Sequence, residues 1–357
     1  MHLMTKVPRI GIDCRFAHTN SGLGRYTHEL VTHLLMRNDP IEYVLFVRSM
    51  DDSWSREVMH LHTERCSLIT ASFPHYSLSE QLFFPRVIKK ASLDLFFSPH
   101  FNVPFLCPVP FVVTIHDLIL HRYPNQALFF KRWIYRCVIG HAIKRARRII
   151  AVSAFTQNEV RTFYGEKVAA KTTVVHEGVD AAFSARSSLE QEKVCSKYAI
   201  HKPFFLYIGN AKEHKNVQML IDAFLDARIG NSLILVTGGK EVDTLHIPSD
   251  ASIHVVTNVR DEDLPALYCA AQCFVTASLY EGFCLPAVEA IACGCPVIAF
   301  NTGAIPEIIG KHAVLVEPQF HALVHALRTP PPRVSACRLY DWDRTAEATV
   351  KVLQSAF

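Results

Sequence analysis

The sequence predicts an α/β protein with two doubly wound parallel-sheet domains that face each other across a cleft. Short apolar runs alternate with longer amphipathic runs, which is typical of parallel strands joined by crossover helices. Most of the apolar runs lack polar alternation, as expected for strands that helices cover on both faces. A chain of 357 residues is also too long for one ordinary hydrophobic core, and this favours two domains.

The strand candidates form two series. The first series is RIGIDC, YVLFV, SLITA, LDLFFS, FVVTIHD, RRIIAVS and TTVVHEG, and the second is FFLYIGN, SLILVTG, SIHVVTN, QCFVTAS, PVIAF and AVLVE. Between them lies a polar segment without strand candidates. We therefore predict an amino-terminal domain over residues 1–183, a linker over 184–202, a carboxy-terminal domain over 203–340, and a closing helix over 341–357 that packs back on the first domain. Because ligands of such sheets bind beyond the carboxyl ends of the strands, we expect the site in the cleft.

The composition excludes several classes of protein. Half of the residues are hydrophobic, and the net charge of +4 is small, which argues against a nucleic-acid binder that relies on a basic surface. Eleven cysteines spread through apolar segments predict reduced thiols in a cytoplasmic protein. The close pairs Cys269/Cys273 and Cys293/Cys295 lack a second pair at zinc-site spacing, so we expect core packing and no metal. An apolar segment of signal-peptide or membrane-spanning length is absent from the sequence, so we expect neither secretion nor a spanning helix.

Two glutamates stand out in the stretch SLYEGFCLPAVEAIACG. Glu281 lies in a loop after an apolar strand, and Glu289 lies in a short helix. The spacing alone leaves two interpretations open. Either both carboxylates accept hydrogen bonds from a ligand's hydroxyl groups, or Glu289 complements the helix dipole and Glu281 is a solvated loop charge.

The start of this short helix is predicted to be an anion site. Pro286 suits the first helical position, which makes Leu285 the N-cap, and leucine has no side-chain acceptor for the first N–H groups. The positive end of the helix dipole then remains available to an anion, and Gly282 permits a close approach of the backbone. The pattern therefore predicts a phosphate-binding site between the two glutamates.

The longer stretch SLYEGFCLPAVEAIACGCPVIAFNTGAIPEIIG resembles the signature segment of the retaining glycosyltransferases of family 4, E-x7-E within EGFGLPxLEAMAxGxPVI. The resemblance continues in order along the chain, through RIGIDCR, SGLGRYTHEL, VVTIHDL, RRIIAVSAFTQNEV, VVHEGVD, YIGNAKEHKN and DLPALYCAAQCFVTAS to the final DWDRTAEATVKV. It is similar above all to bacterial mannosyltransferases of lipopolysaccharide or surface polysaccharide synthesis. The resemblance implies the GT-B fold, with two Rossmann-like domains.

The resemblance also implies roles for residues of the glutamate motif. Glu289 would bind the ribose hydroxyls of the nucleotide, and Glu281 would lie at the donor sugar near the reacting carbon. The backbone amides of Phe283, Cys284 and Leu285, next to Gly282, would hold the diphosphate. Family members often have glycine at the position of Cys284, and an amide contact survives that change.

Cationic and imidazole groups are implied at two further loops. Lys215 in EHKN matches the lysine that neutralises the diphosphate, although a solvated loop lysine is the alternative. The arginine that often follows the strand glycine is replaced by Asn210, so Lys212 is our candidate for the second positive charge. His116 in TIHDL matches the histidine that contacts the donor sugar, through its backbone or its ring; a structural histidine is the alternative.

The resemblance also implies roles for residues of other loops. Gly22 and Gly24 in SGLGRY differ from a dinucleotide fingerprint because RFAHTNS separates them from the preceding strand. We interpret them as the family's flexible loop at the cleft, near the diphosphate or the acceptor. Val259 aligns with the segment whose backbone contacts the base. The DWD motif at 341–343 matches a metal-binding D-x-D only superficially, because it stands at the cap of a terminal helix.

A basic amphipathic segment, FFKRWIYRCVIGHAIKRARR, can lie on an anionic membrane surface. The alternative is a solvated helix face with a buried Trp133. The cationic residues of this segment, within 131–148, are Lys131, Arg132, Arg136, Lys144, Arg145, Arg147 and Arg148.

Together these features predict a metal-independent retaining glycosyltransferase without a cofactor. It would move a hexosyl unit, above all mannosyl, from a nucleotide diphosphate sugar to a glycan or lipid-linked glycan. GDP-mannose is favoured over UDP-sugars, and the expected location is the cytoplasm, peripheral to the membrane, without nucleic acid as a partner. The resemblance implies that the departing phosphate oxygen would assist deprotonation of the acceptor. The alternatives are a nucleotide-sugar epimerase of the same fold and a nucleotide-sugar-binding protein that has lost transfer.

Overall fold

The computed structural model describes residues 7–19, 21–60, 65–123, 129–249 and 252–357. The chain forms two compact units. The first contains the residues up to Gly178 together with Trp342–Phe357, and the second spans Val179–Asp341. The chain thus passes between units after Gly178 and again after Asp341, and residues 184–202 belong to the second unit.

The first unit holds a seven-stranded parallel sheet in the order β3-β2-β1-β4-β5-β6-β7, and all seven predicted strands are confirmed. These strands are β1 (Arg9–Asp13), β2 (Glu42–Val47), β3 (Cys66–Thr70), β4 (Leu95–Ser98), β5 (Phe111–Ile115), β6 (Arg148–Ala151) and β7 (Thr172–Val174). Its helices are α1 (Gly22–Met36), α2 (Ser53–His60), α3 (Leu78–Lys90), α4 (Ile119–Arg122), α5 (Phe129–Arg145), α6 (Ala154–Tyr164), α7 (Glu166–Ala169) and α14 (Trp342–Gln354).

The burial of the side chains shows which elements form the interior of the first unit. Strands β4 and β5 are buried along their whole length, as their unbroken apolar runs require. The closing helix α14 packs on α1, where the Trp342 ring meets the edge of Tyr26 at 5.7 Å between centroids, in one core that also includes Leu30 and Val350. One prediction is corrected here: α5 ends at Arg145, so Arg147 and Arg148 of the predicted basic helix precede and begin β6.

The second unit holds a six-stranded parallel sheet in the order β10-β9-β8-β11-β12-β13, and all six predicted strands are confirmed. Its strands are β8 (Phe204–Ile208), β9 (Ser232–Val236), β10 (Ile253–Val256), β11 (Cys273–Thr276), β12 (Val297–Phe300) and β13 (Val314–Val316). Its helices are α8 (Ser188–Lys197), α9 (Val217–Ala227), α10 (Leu264–Ala270), α11 (Leu285–Ala292), α12 (Ile305–Ile309) and α13 (Phe320–Arg328).

The order of the strands fixes where each sheet can bind a ligand. In both sheets the direction of winding reverses beside the first strand, between β1 and β4 and between β8 and β11. Loops that leave the carboxyl ends of such neighbouring strands diverge and open a crevice. In the second unit these are the loops that carry Lys215 and Glu281. None of the helices in the described ranges is long and apolar enough to span a bilayer.

Candidate functional site

The loops that follow β8 and β11 are joined to each other by their main chains. The amide of Leu279 donates to the carbonyl oxygen of His214 over 2.8 Å, and the Ser278 hydroxyl donates to the same oxygen over 3.4 Å. These bonds fix the two loops against each other at the point where the strand order of the second sheet reverses. Side chains projected from either loop therefore have fixed relative positions.

Lys215 and Glu281 form a bidentate ion pair at this point. Lys215 ends a short 3₁₀ helix, Glu213–Lys215, and its Nζ donates to Glu281 Oε1 at 2.6 Å and to Oε2 at 2.8 Å. The lysine side chain is 20% exposed and the glutamate side chain 12% exposed, so solvent screens this pair only in part. The structure thus brings together two of the residues that the sequence singled out.

The backbone of Glu281 rests against Gly303, which the sequence analysis did not identify. A Cβ atom at position 303 would lie 2.9 Å from both the amide nitrogen and the carbonyl oxygen of Glu281, and φ of Gly303 is +59°. Both facts require glycine. The Glu281 carbonyl also accepts from the Ala304 amide over 3.1 Å. The available signal was the NTG sequence directly after β12, a typical turn composition.

Helix α11 begins one residue earlier than predicted. It starts at Leu285, so Pro286 is its second residue and Cys284 its N-cap, and no side chain caps it. Cys284 has φ +80° and ψ +59°, in the left-handed region that costs about 1–2 kcal/mol for a residue with a Cβ atom. This geometry explains why glycine suits the position. The expected uncapped start is present, and it leaves the positive end of the dipole without a side-chain acceptor.

The Cys284 thiol is an inert part of this turn. Burial, with the negative charge of Glu281 as the next cause, raises the pKa of Cys284 far above its ordinary value, against the opposing charge of Lys215. The thiol is therefore neutral. Glu281, the partner of Lys215, stands three residues before this N-cap in the chain.

Glu289 is buried inside the second unit, 2% exposed. Its Oε2 accepts from the hydroxyl of Tyr268 on α10 over 3.0 Å, which fixes the orientation of the carboxylate. Tyr268 is a second residue that sequence reasoning missed, because nothing in DLPALYCA distinguishes a tyrosine that packs in the core from one that orients an acid.

The loop after β8 carries the remaining cationic candidate. Lys212 is exposed and its amide donates to Asn210 Oδ1 over 3.3 Å, so Asn210 shapes the turn but supplies no charge. Burial, together with the positive charges of Lys215 and Lys212, lowers the pKa of His214 to about 4 against the opposing effect of Glu281. His214 is therefore neutral at physiological pH and serves through its backbone carbonyl.

His116 in the first unit has hydrogen-bond partners at both ring nitrogens. Nδ1 lies 3.0 Å from Glu177 Oε1, and Nε2 lies 2.9 Å from the carbonyl oxygen of Pro99. Because a carbonyl oxygen only accepts, Nε2 carries a proton, and the carboxylate favours a second proton on Nδ1. Burial opposes the charged ring, but the hydrogen bond and charge of Glu177 outweigh it and raise the pKa of His116. Tyr26 packs edge-on against the ring at 4.5 Å between centroids.

The glycine pair of the first unit lies at a capped helix start. Gly22 is the first residue of α1, and the Ser21 hydroxyl accepts from the amide of Gly24 over 3.0 Å. A Cβ atom at Gly24 would lie 1.9 Å from the carbonyl oxygen of Thr19, so close packing accounts for that glycine. Val259 lies half-buried in the loop after β10.

Two further predictions concern charged surfaces. The carboxylate of Asp343, in the DWD motif, lies 2.9 Å from Nδ1 of His33 on α1. In the described part of the chain, no group of three or more His, Cys, Asp or Glu residues is placed to hold a metal ion. The alternative of a solvated helix face included a buried Trp133, and that burial is wrong because Trp133 is 57% exposed. The side chain of Lys131 lies outside the described residues.

Two family models match the chain. The model described as Glycosyltransferase Family 4 matches residues 20–183, and the model described as Glycosyl transferases group 1 matches residues 202–329. One match lies in each unit, and together they leave only the ends and the segment around α8 outside.

The chain is also similar to individual proteins. O-antigen chain mannosyltransferase B of Escherichia coli is 28% identical over 327 residues, covering 84% of this chain and 83% of that protein. O-antigen chain mannosyltransferase RfbU of Salmonella typhimurium is 24% identical over 238 residues, covering 65% of this chain and 63% of that protein. Among solved structures, Anabaena Alr3699/HepE in complex with UDP and glucose superposes with a TM-score of 0.75 at 18% identity, covering 98% of this chain and 100% of that one. This last likeness concerns the fold.

Proposed function

The chain belongs to the family-4 glycosyltransferases and is a glycosyltransferase, and from that premise we propose that it transfers a mannosyl unit from GDP-mannose to a glycan or lipid-linked glycan. We further propose that the reaction retains the anomeric configuration and needs no metal ion. The relatives named as O-antigen mannosyltransferases support the sugar and the type of acceptor. A cytoplasmic location, peripheral to the membrane, follows from such an acceptor.

One observation carries the proposal: at the switch point of the second sheet, Lys215 pairs with Glu281, which stands three residues before Cys284, the N-cap of the uncapped helix α11. A diphosphate that leaves the sugar gains negative charge, and fixed positive groups lower the energy of that state. Lys215 supplies a full charge and the helix start a partial one. The amides of Phe283, Cys284 and Leu285, with Gly282 before them, are the proposed diphosphate donors, and Lys212 is the proposed second cation.

The Lys215–Glu281 pair is then the resting arrangement of the site. Donor binding would give Lys215 a phosphate partner and release at least one oxygen of Glu281 for a sugar hydroxyl. This exchange replaces one ionic partner of the lysine by another, so the partly buried ammonium group is never left without a counter-charge. Glu281 and Lys215 are accordingly proposed to touch the reacting donor.

Other residues are proposed to contact the ribose, the base and the sugar of the donor. Glu289, oriented by Tyr268, is proposed to bind the ribose hydroxyls, and the backbone near Val259 to contact the base. His116 is proposed to contact the sugar by its ring C–H edge or its backbone, because both ring nitrogens are engaged. Gly22 and Gly24 remain candidates for a loop near the diphosphate or acceptor.

Calorimetry tests the donor assignment. GDP, UDP and ADP would be titrated into the protein in the presence of EDTA, with Glu289→Gln as the site variant and Glu262→Gln, an exposed glutamate of the same unit, as the control. We expect GDP to bind best, the Glu289 variant to lose about tenfold or more in affinity, and the control to match the wild type. A preference for UDP would overturn the mannosyl donor, and a requirement for a divalent metal would overturn metal independence.

A transfer assay separates this function from its alternatives. With GDP-mannose and a mannose-containing acceptor, NMR of the new anomeric centre should give the same configuration as the donor. Conversion of the nucleotide sugar without acceptor would indicate an epimerase instead. GDP-mannose binding without any turnover would indicate a binding protein.

A further inference from the structure

Two cysteines of the second unit lie together at the ends of helices α10 and α11. Cys269 is the last residue but one of α10, and Cys293 is the C-cap of α11. The Sγ atom of Cys269 lies 3.4 Å from the carbonyl oxygen of Cys293, and the two thiols are hydrogen-bonded to each other. The pairs that are close in the sequence, Cys269/Cys273 and Cys293/Cys295, are thus joined by a contact across the two helices.

The sulfur of Cys269 has neighbours that stabilise a thiolate. The thiol of Cys293 donates to it, as does the amide of Arg186 over 3.3 Å. The guanidinium group of Arg333 donates to the carbonyl oxygens of Cys269 and Ala271, which holds a positive charge beside the end of α10. The hydrogen bond from Cys293 is the largest of these effects, and together they outweigh burial and lower the pKa of Cys269.

Other cysteines are kept neutral by their surroundings. Burial raises the pKa of Cys14 in the first unit and of Cys273 and Cys295 in the second. The pKa of Cys293 is also raised, because its proton is held in the hydrogen bond to Cys269 and because it is buried. A thiolate is the reactive form of cysteine, and a neighbouring thiol resolves its oxidised form. Cys269 therefore has the character of the attacking sulfur and Cys293 that of the resolving one.

An exposed segment runs past the ends of both helices. Cys269 and Cys293 are each 3% exposed. Residues 332–338 are exposed and form neither helix nor strand, and the amide of Cys337 donates to the carbonyl oxygen of Ile291 on α11 over 3.2 Å. Irregular segments of this kind open locally at a much lower free energy than global unfolding requires. Such opening admits a small oxidant to the two sulfur atoms.

We propose that Cys269 and Cys293 form a reversible disulfide when the protein meets hydrogen peroxide. The Cys269 thiolate attacks one peroxide oxygen, the O–O bond breaks, and a sulfenic acid and hydroxide result. The Cys293 sulfur then attacks the sulfenic sulfur, the S–S bond forms, and the hydroxyl group leaves with the Cys293 proton as water. The hydroxide takes up the proton that Cys269 had released. Two thiols thus lose two electrons, and the peroxide is reduced to two molecules of water.

The disulfide would act on the proposed ribose contact, and this consequence rests on the proposed function. Tyr268, which precedes Cys269, donates to the Glu289 carboxylate over 3.0 Å, and the amide of Cys293 donates to the Glu289 carbonyl oxygen over 3.1 Å. Bonded sulfur atoms are much closer than hydrogen-bonded ones, so the ends of α10 and α11 must shift when the bond forms. We therefore expect oxidation to disturb the bond that orients Glu289 and to weaken nucleotide binding.

Mass spectrometry after digestion with Glu-C detects the disulfide. Trypsin is unsuitable because residues 261–310 contain no Lys or Arg, whereas Glu-C cleaves after Glu281 and Glu289. The protein would be treated with hydrogen peroxide, denatured and alkylated before digestion. We expect a disulfide-linked product of the fragments 263–281 and 290–307, and we expect dithiothreitol to remove it.

Cysteine variants identify the two sulfur atoms, since each fragment contains two cysteines. Cys269→Ser and Cys293→Ser should each abolish the linked product. The control Cys273→Ser changes the other cysteine of the first fragment, and Cys337→Ser changes an exposed cysteine. Both controls should give the same yield of the linked product as the wild type.

Calorimetry with GDP measures the consequence for the site. We expect the oxidised protein to bind GDP about threefold or more weakly than the reduced protein, the ratio that weakening one hydrogen bond produces. Dithiothreitol should restore the affinity. Cys269→Ser, which lacks the attacking sulfur, should bind GDP equally before and after peroxide treatment.

A linked product that persists in Cys269→Ser or in Cys293→Ser would overturn the proposal, as would oxidation confined to the exposed Cys337. The disulfide with unchanged GDP affinity would overturn its effect on the ribose contact. Formation of the disulfide in a folded protein whose reduced form does not bind GDP would overturn the proposed function alone.

Discussion

The carboxyl edges of the two sheets are built on the same plan but hold their polar groups differently. In the first unit, Ser21 caps α1 and His116 has partners at both ring nitrogens. In the second unit, α11 has no side-chain cap, and Lys215 donates to both carboxylate oxygens of Glu281. A group whose partners all come from its own scaffold stabilises the fold. An uncapped helix start or an exchangeable ion pair is available to a ligand, and on this difference we place the proposed diphosphate site in the second unit.

The largest effect should come from disturbing the backbone of Glu281. In Gly303→Val the new side chain would press on both the amide and the carbonyl of Glu281, so we expect kcat/KM of mannosyl transfer to fall by about a hundredfold or more. Gly230→Val is the control, because a Cβ atom there meets nothing within 4 Å. Equal activity of the two variants would show that the position of Glu281 does not matter for transfer.

Adding a cap to α11 would make it resemble α1. In Cys284→Asp a carboxylate would occupy the helix start and repel a diphosphate, whereas Cys284→Asn supplies a neutral cap and also tolerates the left-handed backbone. We expect GDP to bind the Asp variant about tenfold or more weakly than the Asn variant. Similar GDP affinities in calorimetry would contradict an anion site at this helix start.

Removing the cap of α1 distinguishes the two places proposed for the loop with Gly22 and Gly24, and a place near the acceptor predicts an effect on stability alone. Ser21→Ala leaves the Gly24 amide without its acceptor, so we expect a loss of about 1 kcal/mol in the free energy of unfolding. Urea denaturation measures that loss, and calorimetry should give an unchanged GDP affinity. Weaker GDP binding by a variant that remains folded would place this helix start in the donor site.

The smallest expected effect is the pH dependence of stability that the His116–Glu177 pair causes. Because Glu177 raises the pKa of His116, the pair stabilises the fold fully below the ordinary histidine pKa of 6.5, and this contribution disappears as the pH rises through the raised value. In Glu177→Gln, NMR titration should give a lower pKa for His116. The difference in Tm from the wild type should be largest in acid and shrink with rising pH.

The control is Glu159→Gln, which alters a buried carboxylate that binds Arg122 instead. Asp117 also favours the charge of His116, whereas the pKa of the neighbouring His100 is lowered by burial and by the charges of His116 and His75. A pKa of His116 that is equal in the wild type and in Glu177→Gln would exclude the carboxylate as the cause.

The sequence was sufficient for the strands and for the uncapped helix start in the candidate site. Uninterrupted apolar runs locate strands because both faces of a parallel sheet are covered, and neither Leu285 nor Cys284 offers a capping oxygen, so the uncapped helix start could be foreseen. The roles of Gly303, Tyr268 and Glu177 could not be identified from the sequence, because each of them acts on a residue distant in the chain through packing or a hydrogen bond. The exposure of Trp133 was equally hidden, because a sequence gives the composition of a helix but not which side its neighbours cover.

The central claim is that Lys215 and the start of α11 bind the diphosphate. Calorimetry of guanosine and GDP, with wild type and Lys215→Met, tests it most directly, because the two ligands differ only in the group that Lys215 is proposed to contact. We predict that the variant binds GDP about tenfold or more weakly and binds guanosine like the wild type. An equal loss for both ligands, or no loss for GDP, would contradict the assignment.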